Sequence, residues 1–133
     1  MNALSILEDL RREVEIPVVA GPQAQGDLIV VPLHLLDDVH VPAGARWRPV
    51  PPEGVELLRG ADGGNPHTLV ADAGTAQWTA DVRDAQWLAI GVVRATGTAY
   101  LIHPEHGGSG IVPGTYLIRR QREGTGRPEP IAD

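Results

Sequence analysis

His103-Pro104-Glu105-His106 is the densest group of chemically able side chains in this sequence. Two histidines three apart around a glutamate, at the end of a predicted strand, can offer imidazole and carboxylate ligands to a divalent metal. His67 would supply a third nitrogen. Three neutral imidazoles leave one coordination position open, as a catalytic zinc requires, and Glu105 would then act as a further ligand or as a base. The opposing reading is structural. Pro104 forces a turn, and residues 107–110, three of them glycine, form a flexible loop that needs polar anchors. His103 and Glu105 are expected to supply those anchors by hydrogen bonds to its backbone, with no cofactor. Without a helix-borne His-Glu-x-x-His pattern, the structural reading leads.

The second group is basic. Arg119, Arg120, Gln121 and Arg122 lie on the last predicted strand, where alternation puts Arg120 and Arg122 on one face and Arg119 and Gln121 on the other. Guanidinium forks suit phosphate or carboxylate, so an anion site is conceivable. Nucleic-acid sites usually add exposed aromatics, and along the sequence only Tyr116 is near. The net charge of −6 also disfavours broad adhesion to nucleic acid or anionic lipid. Pairing with the chain's own acids is the expected use of these arginines.

Other chemistries find no support. Cysteine is absent, which removes disulfides, thiolate metal sites and thiol nucleophiles. The only serines are Ser5 and Ser109, and neither sits in a Gly-x-Ser-x-Gly elbow. No Walker or dinucleotide fingerprint occurs; Gly60-Ala61-Asp62-Gly63-Gly64 lacks the lysine and the long strand before it. Asp37, Asp38 and His40 resemble a ligand group but read as a solvated turn.

These groups need a frame to hold them. At 133 residues the chain is one domain, with 42% apolar and 21% charged residues, so it can bury a core without staples. With three Trp, two Tyr and no Phe, that core must be aliphatic. Residues 2–14 predict an amphipathic helix, with Leu4, Leu7, Leu10 and Val14 on its apolar stripe, ended at Pro17. So short a helix is marginal alone and must bury that stripe, on its own domain or on a partner, which includes self-association. Residues 17–26 read as a linker. From 27 to 123 short apolar runs alternate with turns: 28–33, 46–50, 55–59, 68–71, 76–80, 87–95, 98–103 and 115–121, with a hairpin turn at Thr96-Gly97. The expected fold is mainly β, an antiparallel sandwich or small barrel with one N-terminal helix. Residues 124–133 read as a flexible tail. No membrane span or secretion signal is visible, so a cytoplasmic location is expected.

Gly26-Asp27-Leu28-Ile29-Val30-Val31-Pro32, His67, His103-Pro104-Glu105-His106, Pro113-Gly114-Thr115-Tyr116 and Arg119-Arg120-Gln121-Arg122-Glu123 occur in that order. Over residues 26–123 this resembles a small bacterial family of uncharacterised β-rich proteins. Its pattern is a Gly-Asp start, a central Gly-His-x-His, a His-Pro-Glu-His and a closing Arg-Gln-Arg-Glu. The resemblance implies a compact β-domain with a polar site around His103 and His106, and no activity. This chain departs from it at Gly64-Asn65-Pro66-His67, where one histidine is missing, and at Gly124, where an aromatic is usual. The expected function is therefore a non-enzymatic structural or interaction subunit. The alternatives are a cupin-like or hydrolase-like metal site at His67, His103 and His106, and anion or nucleic-acid binding through Arg119, Arg120 and Arg122.

Overall fold

The computed structural model describes residues 16–59 and 66–121, and these are mainly β. In chain order the strands are β1 (Val18–Val19), β2 (Gln23–Gln25), β3 (Leu28–Pro32), β4 (Val39–His40), β5 (Arg48–Pro49), β6 (Val55–Arg59) and β7 (Pro66–Ala71). They continue with β8 (Ala76–Thr79), β9 (Arg83–Asp84), β10 (Ala89–Ala95), β11 (Ala99–His103), β12 (Gly107–Ile111) and β13 (Gly114–Arg120). A 3-10 turn covers Leu33–Leu35. The first sheet has the order β1-β12-β11-β7-β6, the second β2-β3-β13-β10-β8-β5, and β4 pairs with β9 in a small ribbon. Neither large sheet closes into a barrel. The expected N-terminal helix, with Leu4, Leu7, Leu10 and Val14, lies outside the described residues, as do Arg122 and the tail. Among the described residues no helix is long and apolar enough to cross a membrane.

Alternation explains the core. Leu28 and Val30 of β3, Tyr116 and Ile118 of β13, and Val93 and Ala95 of β10 join Leu69 of β7, Leu101 of β11 and Ile111 of β12 in one buried cluster. Both sheets therefore bury their facing sides against each other. The other face of the second sheet is buried too, through Val31, Val92 and Leu117. On the outer face of the first sheet, Ile16 and Tyr100 pack against Val70 and Ile102.

Four local expectations change. Thr96-Gly97 is no hairpin turn: β10 belongs to the second sheet and β11 to the first, so the chain crosses between sheets there. The crossing is tight because alanines meet at it, Ala95 opposite Ala76 and Ala99 opposite Ala71, all buried. The glycine-rich stretch expected as a loop is instead strand β12. The segment expected as a linker contributes β1 and β2. Finally, the pairing is antiparallel except between β1 and β12, which run parallel. Gly110 makes that contact possible: a Cβ there would stand 3.0 Å from Val18 Cγ2 and 3.2 Å from the Tyr100 ring.

Candidate functional site

Strand β11 ends at His103, and the three residues of the Pro104-Glu105-His106 turn lead back into β12. His103 Nδ1 accepts the backbone N–H of Glu105 at 3.1 Å and of His106 at 3.2 Å. This is the backbone-anchoring role expected of His103, on the turn itself rather than on the glycines beyond it. Gln25, which sequence reasoning placed in a linker, holds the next step. Its Nε2 donates to the carbonyls of Leu101 at 3.0 Å and Gly107 at 3.2 Å. Its Oε1 lies 2.9 Å from His67 Nδ1.

The fold thus brings His67, from β7, to the turn histidines. Ring centroids are 4.4 Å apart for His67 and His103, 4.5 Å for His103 and His106, and 6.1 Å for His67 and His106. His67 and His103 are buried, at 3% and 5% exposure, and His106 is exposed. Gly26, in the two-residue turn joining β2 to β3, has φ +57, and a Cβ on it would meet His106 at 2.8 Å and His67 Cε1 at 3.3 Å. Only a glycine lets the backbone turn this close to the rings.

Hydrogen bonding fixes the tautomers. The Gln25 amide nitrogen faces two carbonyls, so its oxygen faces His67, and His67 Nδ1 is the donor. That leaves the lone pair of His67 on Nε2. His103 is the reverse: its Nδ1 accepts two N–H groups, so the neutral ring carries its proton on Nε2 and offers no lone pair there. Burial, then the neighbouring His103 and His106, push the His67 pKa down to about 4, against a small opposing pull from Asp27. Among the described residues no three His, Asp or Glu side chains are grouped to hold a metal ion. Glu105 lies on the exposed turn. The donor set therefore favours an imidazole centre that organises the turn and joins the two sheets through Gln25.

A different region gathers charge around β8, β9 and the residues between them. A cavity of about 480 Å³ is lined by His40, Pro42, Ala80, Asp81, Val82 and Arg83. A second, of about 200 Å³, is lined by Arg46, Arg48, Trp78, Thr79, Ala80 and Asp81. Ala80 and Asp81 wall both, so the two cavities adjoin there, and together they are termed the basic cleft. Arg46 grips Asp81 with its backbone N–H at 2.7 Å and with Nε and a terminal nitrogen at 3.1 Å each. Those bonds hold the Asp81 carboxyl well below the usual range, at about 2. Nearby, the Arg94 guanidinium stacks 3.9 Å from the centre of the Trp47 ring. None of Arg46, Arg48, Arg83 or Trp78 stood out in the sequence, because they come from segments that meet only in the fold. His40, read there as part of a solvated turn, pairs with Arg83 across the β4–β9 ribbon and lines the cleft.

Of the expected anion-site residues, Arg119 and Arg120 are described. They line a third cavity, of about 290 Å³, with Ile29, Gln86, Leu88 and Gln121. Register explains the grouping: Ala89 of β10 lies opposite Arg119 of β13, and the Arg120 N–H donates to Leu88 O. The sequence had given these arginines no aromatic but Tyr116. Tyr116 is buried in the core with its hydroxyl donating to Val112 O, whereas the turn that leads into β10 carries Trp87, exposed to 74%.

No curated protein and no solved structure matches this chain. The model of a family described as a domain of unknown function, DUF8820, matches residues 24–121, a span running from β2 through the imidazole centre to the end of β13, and the chain belongs to that family.

Proposed function

We propose that this chain is a non-enzymatic β-sandwich subunit of a larger assembly, and that it binds an anionic partner in the basic cleft at Ala80 and Asp81. One observation carries the reading: three arginines and a histidine line the cleft, and its one carboxylate is already held by Arg46. That leaves Arg48 and Arg83 for a ligand, with the Trp78 ring as a wall. Guanidinium forks match phosphate and carboxylate oxygens, and a concave site strengthens their field over that of a flat surface. The reading moves the expected anion site from the last strand to a cleft. Against catalysis stand the inward-directed hydrogen bonds of the imidazole centre and, among the described residues, a Ser109 Oγ that is buried without a hydrogen-bond partner to activate it.

Pyrophosphate is the probe that tests it. Calorimetric titration at low salt should show saturable binding, weakened at least tenfold in an Arg48→Gln, Arg83→Gln double variant and progressively by added salt. Absent binding, or binding unchanged by both substitutions, overturns the reading.

A further inference from the structure

The chain between residues 80 and 88 walls two cavities in succession. Ala80, Asp81, Val82 and Arg83 border the basic cleft, and Gln86 and Leu88 border the cavity of Arg119 and Arg120. Trp87 lies between Gln86 and Leu88 in sequence, beside the cavity of Arg119 and Arg120. From Arg83 to Leu88 the backbone can span at most about 18 Å, so these two wall residues of the two cavities lie within that distance of each other.

Trp87 is held in an unusual state. Its φ of +58 lies in the left-handed region, which a bulky side chain rarely adopts, yet its indole is 74% exposed rather than packed. The surrounding bonds impose this. Trp87 N–H donates to Asp84 O at 3.2 Å, and the buried Asp84 carboxylate accepts the N–H groups of Leu88 at 3.0 Å and Ala89 at 3.1 Å. Strain that is over-determined in this way, at a solvent-facing aromatic, marks a presented surface rather than a packing element. Arg120, whose backbone N–H donates to Leu88 O, has its Nε shielded from solvent and without a hydrogen-bond partner among the described residues. A buried cationic donor without an acceptor is a place where an anion gains most.

We infer that the anionic partner is a single-stranded nucleic acid, with phosphates in the Ala80 and Asp81 cleft, a base stacked on Trp87, and a further phosphate at Arg119 and Arg120. This rests on the reading of the cleft given above. A backbone-tracking row of arginines with an exposed aromatic between them is the combination that binds single strands, because every base offers a face to stack. Gln86 and Gln121 add amides that can both donate to and accept from base edges. An acidic peptide would satisfy the arginines but has no use for a rigid indole. The net charge of −6 works against a flat anionic membrane more than against a strand lying in a narrow track.

The test compares pyrophosphate, a labelled dT trimer, a labelled dT dodecamer and poly-glutamate of similar charge. Trp87→Gly, which accepts the left-handed backbone freely, and Arg120→Gln are the variants, each checked for an unchanged thermal midpoint. The dodecamer should bind at least tenfold tighter than the trimer and than poly-glutamate. Trp87→Gly and Arg120→Gln should each weaken dodecamer binding about fivefold or more, and Trp87→Gly, which removes no phosphate contact, should leave pyrophosphate affinity unchanged. Pyrophosphate binding with no preference for the dodecamer, equal binding of poly-glutamate, or no effect of Trp87→Gly overturns the nucleic-acid inference alone. Loss of pyrophosphate binding by the unaltered protein overturns the cleft reading beneath it.

Discussion

Gln25 shows how much one side chain can settle. At 6% exposure its amide bonds two carbonyls and one imidazole, which ties β2 to the end of β11, the start of β12 and β7. Gln25→Leu leaves those partners buried without it. We expect a loss of about 3 kcal/mol in urea unfolding, since each stranded polar group costs on the order of 1 to 3 kcal/mol. His67 adds a pH dependence. Its folded pKa of about 4 lies below the ordinary 6.5, so the unfolded chain takes up the proton first. Its contribution to stability is therefore intact above pH 6.5 and declines as pH falls toward 4, by about 1 to 3 kcal/mol in total. Urea midpoints at pH 7.5, 6.0 and 5.0 should fall in that order, and His67→Phe should flatten the trend. A parallel fall in the variant would assign the effect to other groups.

Strands are placed in this protein by where glycine and alanine permit close approach. The β10–β13 register shifts between Ala89 and Gly91, and a Cβ on Gly91 would stand 2.8 Å from the Thr79 carbonyl oxygen in neighbouring β8. Backbone cannot move aside as a side-chain tip can. Gly91→Ala is therefore expected to cost about 2 kcal/mol, the range for overpacking a tight site. Gly44→Ala, where nothing stands within 4 Å, should change the thermal midpoint little and serves as the control. Equal effects in the two variants would mean that chain entropy, not the β8–β10 approach, governs both. The corner alanines follow the same logic, because a larger residue at Ala95 or Ala99 would force the two sheets apart where the chain crosses between them.

At the scale of the whole molecule, assembly is what the helix expected from the sequence of residues 2–14, with Leu4, Leu7, Leu10 and Val14 on its apolar stripe, would serve. Removing residues 1–14 keeps Ile16 against Val70 and Ile102, so the β-domain should stay folded. Light scattering is expected to show a larger species for the full chain and a monomer after the deletion; the same monomeric mass for both would end the case for self-association. The alternation of Leu28, Val30 and Ile118 made the strands legible, the aliphatic composition made the core legible, and Pro104 with His103 made the anchored turn legible. Each of these is a local property, set by side-chain period and backbone freedom within a few residues. The partner of each strand was not legible. Thr96-Gly97 has the composition of a hairpin turn, yet Ala95 and Ala99 belong to different sheets, because pairing is decided by where distant surfaces can be buried together. For the same reason the sequence placed His67 near His103 only as a conjecture, put Gln25 in a linker, and did not set Arg119 opposite Ala89. Tertiary structure alone decided those neighbours, since residues 30 to 80 positions apart meet only through the register of intervening strands.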